Sequence, residues 1–152
     1  MPATHADRAD GAIGLLMLQT RFPRIPGDIG NPATFPFHVL PRTVPGALAG
    51  AVVRDRAAGL LPAFVAAGRD LVAEGAAGIA TSCGFLSLMQ DELAGALGVP
   101  VAASALMQVP LADRLLPPGR RAGVLTIAGS SLTAADLAAA GAAPDTPVGT
   151  TE

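Results

Sequence analysis

Short apolar runs recur along the chain, separated by longer segments in which apolar and polar residues mix. Continuous apolar runs of about four to eight residues are typical of strands that are buried on both faces of a sheet. We predict four such strands, at residues 12–18, 78–81, 99–103 and 122–127.

Between these runs, apolar residues recur at intervals of three and four, which is the spacing of one helix face. The first helical segment contains Pro62, which a helix tolerates only in its first turn. In the last one, Ser131 or Thr133 is suited to cap the N-terminus and Gly141 to end the helix. We predict helices at residues 60–72, 86–97 and 133–140.

Strands that alternate with helices of this length indicate parallel βαβ units, so we predict an α/β fold, a parallel-sheet sandwich. Two prolines and a glycine within 116–121 mark a junction. We therefore predict a first α/β lobe at 1–118, carrying Cys83, and the beginning of a second lobe at 119–152. With one strand and one helix, the second unit is too small to bury both faces of its strand and is expected to be incomplete.

Composition narrows the function classes. Of 152 residues, 51% are hydrophobic and 14% charged, which predicts a folded chain. The ten basic residues are all arginine and are scattered, so no nucleic-acid partner is expected. The polar segment 1–10 lacks the apolar core of a signal peptide, and no apolar run approaches about 18 residues. We therefore expect a cytoplasmic protein with no membrane partner.

Cys83 is the one cysteine, and it follows the strand predicted at 78–81. We expect N–H groups of the next helix to favour its thiolate, which would suit catalysis. The neighbours Thr81, Ser82 and Gly84 are polar or small, and their hydroxyls and N–H groups could hold a carboxylate. The alternative is a buried cysteine that acts as a small hydrophobe.

The proline-rich segment 19–37 follows the first strand and should lie at the same edge of the sheet as Cys83. Arg21, Arg24, Asn31 and Thr34 are its candidate anion ligands, although a surface loop with solvated arginines is the alternative. Asp28, between Gly27 and Ile29, is typical of a turn. Isolated histidines and one cysteine give no metal-ligand spacing, so no metal is expected.

The turn 81–85, the loop 20–34 and the segments 99–104 and 122–128 together resemble the aspartate/glutamate/hydantoin racemase superfamily. The resemblance implies two facing α/β lobes and racemisation or epimerisation of an amino acid without a cofactor. In that reaction one cysteine thiolate takes the Cα proton and a cysteine thiol returns one on the opposite face.

The resemblance implies that Cys83 is the catalytic cysteine of the first lobe and that the substrate is a small amino or carboxylic acid. No second cysteine is present, which favours part of a longer two-lobed racemase and puts activity of the short chain in doubt. A one-cysteine decarboxylase or cis–trans isomerase of the same superfamily, or a non-catalytic small-molecule binding or pairing module, remain alternatives, and a homo-oligomer is a candidate assembly. The substrate-binding residues implied are Thr20, Arg21, Asn31, Thr34, Thr81, Ser82 and Gly84.

Overall fold

The computed structural model describes residues 11–151, so the N-terminal part of the predicted first lobe (1–10) lies outside the described residues. The strands within 11–151 are β1 (Ala12–Met17), β2 (Val39–Thr43), β3 (Ala76–Thr81), β4 (Val101–Ala102), β5 (Val124–Thr126) and β6 (Val148–Thr150). The α-helices are α1 (Ala49–Val53), α2 (Leu61–Ala73), α3 (Gln90–Leu97), α4 (Val109–Leu115) and α5 (Ala134–Ala139). Short 3₁₀-helices cover Pro32–Thr34, Gly84–Met89, Ala105–Gln108 and Gly129–Ser131.

In the described chain, β1 to β4 form a parallel sheet in the order β2-β1-β3-β4, which confirms the α/β prediction. From β1 the chain continues to β2 on one side, and from β3 it continues to β4 on the other. The connections that follow the two central strands therefore leave in opposite directions. In open α/β sheets, such a switch point is where ligands bind, outside the carboxyl ends of the strands.

The main core lies between the sheet and α2 and α3. Phe64 and Leu71 of α2 are fully buried there, as the helical spacing of the sequence predicts. Gly14 of β1 allows the close approach of α2, because a Cβ at this position would lie 3.1 Å from the Cβ of Leu71. Helix α2 therefore packs closely against the centre of the sheet.

Two strands were missed by the sequence analysis. The first, β2, contains Pro41 and Arg42, which interrupt the apolar pattern, but β2 pairs only with β1 and an edge strand tolerates proline. The second, β6, pairs in parallel with β5, so the prediction of one strand and one helix after residue 119 was incomplete.

The prediction that the run 122–127 is buried on both faces was wrong. Leu125 and Ile127 are 76% and 71% exposed. Val124 of β5 packs against the cluster that contains Leu137 of α5, whereas the next residue, Leu125, is on the other side of the strand and largely exposed.

A second, smaller core joins α4 and α5. It includes Leu106 and Val109, which precede the predicted boundary at 119, together with Leu137 of α5. The predicted cap of α5 is confirmed: the Thr133 hydroxyl accepts a hydrogen bond from the Asp136 N–H, and the Asp136 carboxylate accepts one from the Thr133 N–H. Asp136 also lies 3.6 Å from the guanidinium of Arg56, so α5 is tied to the α1–α2 loop.

No helix among the described residues is long and apolar enough to span a membrane.

Replacement of Leu71 by alanine is expected to lower the free energy of unfolding by about 2–5 kcal/mol, because it leaves a cavity in the main core. The matched change Leu115→Ala, at a leucine that is 78% exposed, should stay within about 0.5 kcal/mol of the wild type. Urea denaturation followed by circular dichroism measures both. Equal losses in the two variants would contradict this account of the core.

Candidate functional site

The carboxyl ends of β1 and β3 are joined directly by hydrogen bonds at the switch point. The Ser82 N–H donates to the carbonyl of Leu16 at 2.9 Å, and the Ser82 hydroxyl accepts from the N–H of Leu18 at 3.1 Å. Ser82 therefore continues the pairing of the two strands by one residue and fixes where each chain leaves the sheet. The loop that follows β1 and the turn that follows β3 start from this point.

A second set of hydrogen bonds holds the turn at Cys83. The Thr81 hydroxyl donates to the carbonyl of Ala103 at 2.7 Å and accepts from the Cys83 N–H at 3.4 Å. The buried Ser104 hydroxyl donates to the carbonyl of Gly84, the residue after Cys83. The hydroxyls of Thr81 and Ser104 thus bind the backbone at Cys83 and at Gly84. The backbone from which the thiol projects is therefore held in place.

The thiol of Cys83 is half-buried, and this burial raises its pKa above the ordinary value. The Phe85 N–H, which hydrogen-bonds to the sulfur, acts in the opposite direction but more weakly. The expectation that the following helix favours the thiolate was therefore wrong. Cys83 is followed by a 3₁₀-helix, and the one N–H that reaches the sulfur does not offset the loss of water around it.

A cavity of about 590 Å³ opens beside Cys83. Its walls come from the loop after β1, from α1, from the cysteine turn, from the segment 105–112 and from β5. Leu125 and Ile127 line it but remain largely exposed, so the cavity is open to solvent on the β5 side. Side chains that line it and can hydrogen-bond include those of Thr20, Arg24, Ser82, Cys83, Gln108 and Thr126.

Arg24 is held in the cavity wall by its own loop. Its guanidinium donates to the Asp28 carboxylate at 3.0 Å and to the Thr20 hydroxyl at 2.9 Å, and it lies 4.3 Å from the centre of the Phe22 ring. The Gly30 N–H and Arg24 lower the pKa of Asp28. Asp28 is thus an ionised partner of Arg24 and a weak proton acceptor at neutral pH.

The predicted site residues divide into two groups. Thr20, Ser82, Cys83 and Gly84 line the cavity.

The other predicted ligands lie elsewhere in the structure. Arg21 is exposed and outside the cavity wall. Asn31 donates to the carbonyl of Arg24 and accepts from the Ala33 N–H, while the Thr34 hydroxyl donates to the carbonyl of Asp28. These bonds shape the loop, as those of Thr81 shape the turn. A role in substrate binding stays a prediction for Arg21, Asn31, Thr34 and Thr81.

Sequence reasoning missed the apolar part of the wall. Phe22, Leu106, Val109 and Leu132 line the cavity, and they come from three different segments: the loop after β1, the segment 105–112 and the segment before α5. In the sequence, Leu106 and Val109 have the apolar character of ordinary core residues, and both also belong to the second core. Only the docking of β5 and α4 beside the cysteine turn brings these side chains together.

Among the described residues, no group of three or more histidine, cysteine, aspartate or glutamate side chains could hold a metal ion.

No family model matches this sequence. A curated protein that is similar to it is dimethylsulfoniopropionate lyase 7 of Emiliania huxleyi, which is 33% identical over 100 residues. The similar region covers 65% of this chain and 29% of that protein, so the chain matches well under a third of the length of its relative.

Replacement of Thr81 by valine is expected to destabilise the protein by about 1–3 kcal/mol, because the Ala103 carbonyl and the Cys83 N–H lose a buried partner. Thr81→Ser keeps the hydroxyl and should lose about 1 kcal/mol or less, the value of one buried methyl group. Urea denaturation compares the two. A serine variant as unstable as the valine variant would show that the hydroxyl does not contribute to the stability of the protein.

Alkylation of Cys83 by iodoacetamide is expected to follow a pKa above that of an ordinary cysteine, because burial disfavours the thiolate. The same chain unfolded in urea provides the matched control, since its single thiol is then solvated. Rates measured from pH 6 to 10 give both pKa values. A folded-state pKa at or below the urea value would contradict the burial argument.

Proposed function

We propose that Cys83 transfers a proton at the α-carbon of a small amino or carboxylic acid bound in the cavity. The observation that carries this proposal is the position of the thiol, at the switch point of a parallel sheet and in the wall of a cavity that also contains an arginine. A carboxylate is the group that an arginine recognises, and a thiolate is a base able to remove a proton.

The buried thiol suits this reaction in a specific way. A thiolate with a raised pKa is present in smaller amounts at neutral pH but is a stronger base toward carbon. In its protonated form the same group is a proton donor. The Cα–H bond breaks, its electron pair is delocalised into the carboxylate, and positive charge or N–H donors near that carboxylate stabilise the intermediate.

Racemisation or epimerisation, the activity of the family that the sequence resembles, is the first form of the proposal. Inversion needs a second acid on the opposite face of the planar intermediate. In the family that the sequence resembles this second group is a cysteine, and the 152 residues contain no second one. Exchange of the Cα proton with solvent needs only Cys83.

Elimination is the second candidate, and the similarity to a dimethylsulfoniopropionate lyase favours it. In an elimination, the thiolate takes the Cα proton, the C–H electrons form a Cα=Cβ double bond, and the leaving group departs from Cβ with its bonding electrons. One base is sufficient for this reaction. Elimination therefore requires one acid–base residue, whereas racemisation requires two.

Substitution of Cys83 by serine is expected to lower Cα proton exchange at least about 100-fold, because a hydroxyl is a much weaker acid–base group. Proton NMR in heavy water, with a panel of amino acids, 2-substituted carboxylic acids and dimethylsulfoniopropionate, measures the exchange. The exposed-site variant Leu115→Ala serves as the control and should exchange at the wild-type rate.

The products separate the two candidates. Exchange with loss of optical rotation indicates racemisation, whereas release of a thioether and an unsaturated acid indicates elimination. A chain that exchanges no substrate in the panel, and whose acid binding is the same with serine at position 83, would be a binding module instead.

The pH dependence of kcat/KM is expected to rise by about tenfold per pH unit below the thiol pKa, because only the thiolate of the free enzyme is active. Since burial raises this pKa, the rise should continue above the pH at which an ordinary cysteine is already ionised. Initial rates from pH 6 to 10 test this. A profile that is flat or falls between pH 7 and 8.5 would exclude Cys83 as the base.

A further inference from the structure

Charge is distributed very unevenly in the wall of the cavity. Of the described residues that line it, Arg24 is the single one with a charged side chain, and no aspartate or glutamate lines it. Thr20, Ser82, Cys83, Gln108 and Thr126 add neutral polar groups. Asp28, the ion-pair partner of Arg24, does not line the cavity, so an acid bound there would face the guanidinium and no carboxylate of the described chain.

Arg24 is prepared for such a ligand. Its side chain is only 18% exposed, and the bonds to Asp28 and Thr20 hold its orientation before anything binds. Of the five N–H groups of a guanidinium, these bonds use at most three, so two or more have no partner among the described residues. Two N–H groups on one planar guanidinium are what a carboxylate needs for a bidentate pair.

The rest of the wall is apolar. Phe22, Phe85, Val53, Leu106 and Val109 line it, and the volume of about 590 Å³ lies within the range of roughly 300–1,000 Å³ of pockets for drug-sized ligands. A second carboxylate would meet no second cation here. An α-ammonium group would meet no carboxylate among the described lining residues, so it would gain no ionic partner there.

Resting on the proposed function for the position of the reacting carbon, we propose that the cavity binds a monocarboxylate with a large apolar substituent, and that Arg24 binds the carboxylate. Dicarboxylic acids and free α-amino acids bind more weakly, so among the substrates proposed above the cavity favours monocarboxylic acids over amino acids. Arg24 is thereby the residue that selects the charge of the substrate, while the side chains from α1, the 105–112 segment and β5 accommodate its apolar part.

Isothermal titration calorimetry tests this with four probes that share a phenyl group: 3-phenylpropionate, 3-phenylpropionamide, phenylsuccinate and phenylalanine. We expect 3-phenylpropionate to bind about 10- to 100-fold more tightly than its neutral amide, which is the effect of a hydrogen bond to a charged group. Phenylsuccinate and phenylalanine should also bind more weakly than 3-phenylpropionate. These comparisons use the unaltered protein and do not depend on any variant folding.

Arg24→Gln should reduce the affinity for 3-phenylpropionate to that of the amide and leave the affinity for the amide unchanged. Arg69→Gln is the matched control, because it removes the same charge from an exposed position on α2. An amide that binds as tightly as the acid, tighter binding of phenylsuccinate or phenylalanine, or no binding of 3-phenylpropionate at millimolar concentration would overturn the inference.

The inference and the proposed function fail in different ways. Binding of 3-phenylpropionate that depends on Arg24, without Cα exchange of any acid, supports the ligand class and contradicts the proposed reaction. Cα exchange whose KM is the same in the wild type and in Arg24→Gln supports the reaction and contradicts the role of Arg24.

Discussion

The hydrogen bonds of Ser82 across the carboxyl ends of β1 and β3 are the constraint on which the site depends. They hold together the two strands from which the chain leaves in opposite directions, at 2.9 Å and 3.1 Å. The loop that carries Arg24 and the turn that carries Cys83 begin at these strand ends. An arginine and a thiol therefore share one cavity, although about sixty residues separate them in the sequence.

Burial has two opposite effects at this site. It raises the pKa of Cys83, which lowers the fraction of thiolate at neutral pH. It also removes water from around Arg24 and the apolar wall, and a charge-assisted hydrogen bond is stronger in such an environment. The hydrogen bonds of Arg24 to Asp28 and Thr20 hold the guanidinium in place, which would limit the entropy lost if a carboxylate binds there as we propose.

The strands 12–17 and 76–81 were predictable because they are central and apolar, and the α2 and α5 helices because periodicity and caps agree. The edge strand β2 was not, since its proline and arginine follow no strand pattern. The position of Cys83 and Ser82 at the edge of the sheet was predictable from their place after a strand. The functions of Asn31 and Thr34 within the loop were not, because a sequence does not show whether a polar side chain bonds to its own backbone or to a ligand.

We propose that the Cys83 thiol and a carboxylate bound at Arg24 occupy the same cavity. Because the chain has one cysteine, labelling its Cβ with carbon-13 gives a single resonance that reports both ionisation and ligand contact. Saturating 3-phenylpropionate is expected to shift this resonance and its pH titration, and Arg24→Gln is expected to abolish both changes at the same concentration. A resonance that does not respond to the bound acid would contradict the account.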